Sequence, residues 1–175
     1  MKILDATCSI KSMWYQKSHP FVTFMDIRNG KYIYQDKKKK HKPKVYTIKP
    51  DVTSDFRDTP FDDNYFDMIV FDPPHIIQNA NSGDMIVRYG KFNIDDNWKQ
   101  ILSDGIMELF RVLKPNSVFI LKWSKTKRFG HSIPLKEILD LFPYQPMFGT
   151  RTGNSDNNHW VVFIKYDVNQ KLIEG

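Results

Sequence analysis

Apolar residues along this chain come in short bunches separated by polar stretches. Ile3-Leu4 and residues 21–27, 32–34, 45–48, 68–71, 118–123 and 160–164 form runs rich in β-branched and aromatic side chains. Runs of that length and make-up predict strands. Residues 66–71 and 118–123 are almost continuously apolar, which predicts central strands covered on both faces. Residues 160–166 close the pattern as a candidate antiparallel last strand. A different period governs the middle of the chain. Trp98, Ile101, Leu102, Ile106, Leu109, Phe110 and Leu113 recur at helical spacing. Asp95 and Asp96 suit the positive start of that helix, and Pro115 is its expected stop. A shorter helix is predicted through Leu135, Ile138 and Leu139, with Ser132 as N-cap, Pro134 in the first turn and Pro143 at the end. Helices between buried strands predict an α/β fold. Residues 76–94 show no period and read as a long functional loop.

Length sets the domain count. At 175 residues the chain suits one domain with room for an insertion, so residues 1–175 are read as a single unit. No stretch nears the ~20 apolar residues of a membrane-spanning helix, and the N-terminal apolar run is too short for a signal peptide. The single cysteine, Cys8, excludes a disulfide framework and a multi-cysteine zinc site and points to the reducing cytoplasm. His19, His41, His131 and His159 lie far apart, so no metal is expected.

Charge changes the picture more than composition does. The chain carries +6 overall, but residues 31–49 hold eight lysines against Asp36 alone, a segment of +7. All the rest sums to −1. The segment reads as a basic β-hairpin inserted between the second and third strands. Its run Lys37, Lys38, Lys39, Lys40 suits a polyanion, nucleic acid first, and equally suits a solvated tip. Lys122, Lys125, Lys127 and Arg128 form a second basic group without an acid, after the fifth strand. Arg88 and Arg151 are weaker candidates for phosphate contacts.

The most informative string is Asp72-Pro73-Pro74-His75, directly after a predicted central strand. Ligands of open α/β sheets bind beyond the carboxyl ends of the strands. Two prolines stiffen the backbone and supply no N–H donors. The Asp72 carboxylate and the Pro73 carbonyl then form two acceptors side by side, a match for the two hydrogens of an –NH₂ group. His75 can cover the face of a planar substrate. The same string also fits a plain strand-ending turn.

These residues resemble the Asp/Asn-Pro-Pro-aromatic motif of class I S-adenosylmethionine-dependent amino-methyltransferases. Further elements appear in that family's order. The segment 3–9, Ile-Leu-Asp-Ala-Thr-Cys-Ser, resembles the first strand and cofactor loop. Asp26, followed by Ile27, sits where the family places the acid that holds the ribose hydroxyls, and Asp55-Phe56 resembles the pair that reads adenine. Residues 109–122 resemble the helix-turn-strand segment before the fifth strand. The likeness spans residues 2–166 and is nearest to small phage or prophage proteins. It implies a doubly wound, Rossmann-like sheet of class I methyltransferase topology and S-adenosylmethionine as cofactor, held by Asp5, Ala6, Thr7, Cys8, Asp26, Ile27, Asp55, Phe56 and Asp72. Trp14 and Tyr15 are read first as packing on the sheet and second as cofactor contacts. Cys8 is read as a small buried hydrophobe rather than a nucleophile.

The chain departs from the pattern in three places. Thr7 and Ser9 stand at the loop's glycine positions, and Ser9 carries a steric cost if its φ is positive. Asn116 replaces glycine in the turn after the long helix, a residue type that tolerates the left-handed region. His75 replaces the usual Tyr, Phe or Trp. A nicotinamide enzyme is the poorer reading, because no Gly-x-Gly-x-x-Gly string is present to seat a pyrophosphate. The expected activity is methylation of an exocyclic amine in DNA or RNA, with Asp72, Pro73, Pro74 and His75 at the reacting amine. The alternatives are a protein glutamine or small-molecule amine as acceptor, or a nucleic-acid-binding relic without catalysis.

Overall fold

The computed structural model describes residues 1–36, 42–79, 83–94, 96–124, 133–150 and 158–166. Its elements are strands β1 (Ile3–Asp5), β2 (Val22–Asp26), β3 (Gly30–Tyr34), β4 (Lys44–Ile48), β5 (Val52–Thr53) and β6 (Phe66–Phe71). Helices α1 (Asp84–Tyr89) and α2 (Trp98–Val112) follow, then β7 (Leu113–Ser124), α3 (Leu135–Leu139), β8 (Phe148–Gly149) and β9 (Asn158–Lys165). Among the described residues, seven strands form one sheet in the order β5-β2-β1-β6-β7-β9-β8. The first five run parallel, β9 runs antiparallel to β7, and β8 antiparallel to β9. This is the α/β sheet expected from the apolar runs, with the final strand antiparallel as the pattern implied. From β1 the chain winds outward through β2 to β5, and from β6 it winds the other way. The reversal leaves a crevice at the carboxyl ends of β1 and β6, where open sheets bind ligands.

Two cores flank the sheet. The larger packs α2 and α3 on one face through Leu102, Ile106, Leu109, Phe110 and Ile138, against Leu4, Met25, Ile69, Phe71, Phe119 and Leu121. The smaller joins Ile3, Cys8, Val22, Phe24 and Val70 on the other face. There the cover is the irregular segment 6–21, not a helix. Trp14 packs edge-to-face on Phe24, with ring centroids 5.5 Å apart, whereas Tyr15, expected to pack beside it, is fully exposed.

Three local expectations are corrected. The long helix starts at Trp98, not at Asp95-Asp96; Asn97 is its N-cap and accepts from the Gln100 N–H. Asp96 instead binds Asn93, and Asp95 and Ser132 lie outside the described residues. That helix ends at Val112, short of Pro115, because Leu113 is already extended and pairs with Phe66. The next paired residues are Met68 and Val118, so 114–117 bulge from the ladder, with Asn116 at φ 59 in its glycine-like role. Finally, residues 76–94 are not wholly irregular. Phe92 N–H donates to the Ile76 carbonyl and Gln78 N–H to the Phe92 carbonyl, which ties the base of the excursion, and α1 stands within it.

Residues β3 and β4 pair as the predicted hairpin, a two-stranded sheet of their own. The hairpin rests on α1: Tyr46 Oη donates to Asp84 at 2.6 Å, and Lys44 pairs with the same carboxylate at 3.4 Å. Asp84 also sits in the first turn of α1, where a negative charge is favoured.

Gly105 on α2 leaves a notch filled by the Phe56 ring, which a Cβ there would overlap. Gly→Ala in a helix interior ordinarily stabilises by up to about 1 kcal/mol. Here Gly105→Ala is expected to destabilise by about 1–3 kcal/mol through overpacking, read by denaturant unfolding.

No helix among the described residues is long and apolar enough to cross a membrane.

Candidate active site

The carboxyl edge of the sheet gathers three acids from three strands. Asp5 ends β1, Asp26 ends β2 and Asp72 follows β6. Each is held differently, and the differences define what each can do.

Asp5 is wholly buried. Trp14 Nε1 donates to it at 2.7 Å and the Thr7 N–H at 3.3 Å. Burial pushes its pKa up to about 7, outweighing those hydrogen bonds, and the charges of Asp72 and Asp26 add to the rise. Asp5 and Trp14 thus form a support beneath the loop rather than part of the cavity wall. Cys8 is buried beside them, and burial holds its thiol protonated far above the usual range, as suits an inert packing residue.

Asp26 is also buried, with only a small part of its surface reaching the cleft. Its Oδ2 accepts the Ser9 N–H at 2.8 Å, and its Oδ1 accepts the Arg28 N–H at 2.9 Å and Arg28 Nε at 3.1 Å. Arg28 extends the chain of contacts to the Val87 carbonyl on α1 and lies over Tyr32 of the hairpin. Ser9 does adopt positive φ, at 49°. Its N–H bond to Asp26 and its Oγ bond to the Arg88 carbonyl hold it there. Thr7, at the other glycine position, accepts the Asp72 N–H on its hydroxyl at 3.1 Å. The two departures from a glycine-rich loop therefore act as fasteners, one to α1 and one to the turn after β6.

Asp72 separates two cavities. One, of about 190 Å³, is lined by Ala6, Thr7, Ser9, Asp26, Ile27, Arg28, Phe56 and Pro74. The other, of about 200 Å³, is lined by His75, Met85, Lys122, Ser124 and Asn158. Asp72 and Tyr89 belong to both. Of the residues expected around a cofactor, Ala6, Thr7, Asp26, Ile27, Phe56 and Asp72 line the first cavity. Asp5, Cys8, Trp14 and Asp55 do not. Asp55 is paired with Arg57 at 2.7 Å. Phe56 is seated by its notch on α2. Thr59, three residues on, donates to Glu108 of the same helix at 2.6 Å and fixes the segment.

The second cavity holds the main surprise. Lys122, expected in an acid-free basic group, forms an ion pair with Asp72 at 2.5 Å. The β6–β7 register pairs Phe71 with Leu121, which sets the next residue of each strand side by side. His75 is buried and meets Trp123 edge-to-face, with centroids 6.2 Å apart, so its ring is a fixed wall of this cavity. Burial lowers its affinity for a proton, against the pull of the Asp72 carboxylate. Lys37, Lys38, Lys39, Lys40, Lys125, Lys127, Arg128 and Arg151 lie outside the described residues. Sequence reasoning missed Arg28, Tyr89 and Lys91 of the first cavity. Arg28, two residues beyond the strand-end acid, carried a readable signal; Tyr89 and Lys91 depend on a helix with no buried residue.

No protein-family model matches the sequence, and comparison with curated proteins gives no match. Solved structures do match in fold. The PH0226 protein of Pyrococcus horikoshii OT3 is 16% identical, with a TM-score of 0.58 over 94% of this chain and 81% of that one. A SAM-dependent methyltransferase of Methanosarcina mazei is 16% identical, with a TM-score of 0.54 over 94% and 92%. The N-methyltransferase NodS of Bradyrhizobium japonicum WM9 is 12% identical, with a TM-score of 0.54 over 95% and 86%. The chain thus has the Rossmann-like fold of class I S-adenosylmethionine-dependent methyltransferases.

Proposed function

We propose that this protein transfers a methyl group from S-adenosylmethionine to an exocyclic amine, that of a base in DNA or RNA. The observation that carries the reading is Asp72, a strand-end carboxylate on a proline-stiffened turn that forms a common wall of two cavities. The lining of the first suits the cofactor. It offers a flat ring (Phe56), an acid at the end of β2 (Asp26), and a lysine (Lys91) with a second acid (Asp72), a mixed set for a ligand with a base, hydroxyls and a zwitterionic end. When bound, S-adenosylmethionine supplies an electrophilic methyl group. The work of this chain is orientation. Asp72 is the acceptor for one amine hydrogen and the Pro73 carbonyl, though Pro73 is not among the residues lining either cavity, is the expected second; Pro74 stiffens the turn, and His75 walls the acceptor side. Solvent takes up the proton that the nitrogen sheds. NodS, a neighbour in fold, is described as an N-methyltransferase.

A third cavity, of about 280 Å³, supports a nucleic-acid substrate. Lys11, Lys17 and Lys49 line it together with Ser9, Ile10 and Thr47. Lys11 is 3.9 Å from Asp51. The test of the proposal is mass spectrometry of nucleosides from DNA and RNA incubated with the protein and methyl-labelled cofactor. N-methylated adenine or cytosine is the expected product. Unmodified nucleosides alongside methylated glutamine or a methylated small amine would overturn the nucleic-acid reading. Lys17→Ser with Lys49→Ser is expected to flatten the slope of log K against log salt by up to ~0.9 for each lost phosphate contact on duplex DNA.

The Arg28–Asp26 pair makes a further prediction. If Asp26 holds cofactor hydroxyls, Arg28 competes for the same oxygens. Arg28→Ala is expected to tighten S-adenosylmethionine binding several-fold. Asp26→Ala is expected to weaken it by about tenfold or more, since hydrogen bonds to charged groups are worth about 1.5–3 kcal/mol. Calorimetry reads both, and equal affinities in all three proteins would remove Asp26 from the ribose.

A further inference from the structure

We infer that Asp72 and Lys122 together read one edge of the acceptor, an amino group standing next to an unprotonated ring nitrogen. The inference rests on the proposed amine methylation and specifies which edge the base presents. Its basis is the pair's geometry. Lys122 Nζ is 2.5 Å from Asp72 Oδ2, with side-chain exposures of 20% and 7%, and both residues line the acceptor cavity. Among the described residues, Oδ2 is the Asp72 oxygen that takes this bond, and Oδ1 accepts none. An ammonium has three hydrogens. One is engaged on Asp72, so two remain to donate. The cavity therefore presents an open acceptor and a cationic donor side by side.

The complement is a donor beside an acceptor on one flat edge. Adenine offers it as its 6-amino group beside N1 or N7, and cytosine as its 4-amino group beside N3. An alkylamine offers hydrogens but no neighbouring acceptor. In its usual protonated form it also brings a positive charge toward Lys122. A primary amide has the paired pattern without a ring, whereas the His75 and Tyr89 rings line this cavity and suit a planar heterocycle. Ser124 and Asn158 bind each other at 2.5 Å and also line this cavity.

The experiment deletes the acceptor atom. Single-stranded oligonucleotides carrying adenine, 1-deazaadenine, 7-deazaadenine, cytosine or 3-deazacytosine are compared by kcat/KM for labelled methyl transfer. Replacing a ring nitrogen with C–H makes the neighbouring amine more nucleophilic, so intrinsic reactivity favours the deaza bases. The wild-type protein is nonetheless expected to disfavour the base lacking the facing nitrogen by about 10- to 100-fold, the scale of a lost hydrogen bond to a charged group. Lys122→Met is expected to lower the natural base to the deaza level and erase the ratio. Lys122→Gln keeps an N–H donor and a partner for Asp72, and is expected to retain part of it. Should Lys122→Met fail to fold, the wild-type ratio and Lys122→Gln decide the matter. Equal wild-type rates on natural and deaza bases would overturn the inference and leave amine methylation standing. If no base is methylated at all, the proposed function falls and the inference falls with it.

Discussion

Asp72→Ala is expected to slow methyl transfer by about a hundredfold or more while S-adenosylmethionine binding changes by no more than a few fold. Lost orientation of ~3 kcal/mol corresponds to roughly that factor in rate. The cofactor-side cavity keeps its remaining walls in the variant, since Asp26, Phe56 and Ile27 come from other segments. The same substitution strips Lys122 of its carboxylate, so a thermal melt is the needed companion measurement. Asp72→Asn is the cleaner probe. An amide oxygen still accepts from Lys122 or from the amine, and its charge is gone, so activity is expected between wild type and Asp72→Ala. Wild-type turnover in Asp72→Ala, measured with labelled cofactor, would reduce the Asp-Pro-Pro-His string to a turn and end the amino-methyltransferase reading.

The second large effect is on stability and comes from Asp5. An acid whose pKa rises from 3.8 to about 7 on folding binds its proton more tightly in the folded state. Its contribution is most favourable at low pH and declines as pH rises from about 4 to about 7, where the buried charge is paid in full. Asp5→Asn removes that slope and keeps an acceptor for Trp14. At pH 8 the variant is expected to be more stable by about 2–4 kcal/mol, with the gain shrinking toward pH 4. Denaturant unfolding across that range checks it. A difference that does not vary with pH would show that Asp5 is charged throughout.

Much of this fold was legible because burial leaves a periodic mark. The strands β6 and β7 are apolar on both faces, and α2 shows its buried stripe at helical spacing. The helix α1 was illegible for the matching reason: none of its residues is buried, so no period is written. Its boundaries are set instead by Gly83 and by Gly90 at φ 81. The irregular cover 6–21 hides behind Trp14, a residue whose partner, Asp5, could not be inferred from spacing. Asp72 was readable because two prolines advertise a stiff turn. Its pairing with Lys122 was not, because it depends on the register of two strands 50 residues apart. The choice between Lys122 as a phosphate contact and Lys122 as a partner of Asp72 turns on that register alone.

The six residues of α1 join parts of the molecule that are otherwise separate. Asp84 at one end holds the basic hairpin through Tyr46 and Lys44. Tyr89 at the other end lines both cavities, and between them the Val87 carbonyl holds Arg28 against Asp26. On the proposed function, a polyanion held at the hairpin and a cofactor held in the cleft would therefore both bear on this one short helix. A polyanion that prefers one setting of that helix changes cofactor affinity by some factor, and thermodynamic reciprocity requires the cofactor to change polyanion affinity by the same factor. On that reading, substrate engagement and cofactor loading would be two readings of a single equilibrium.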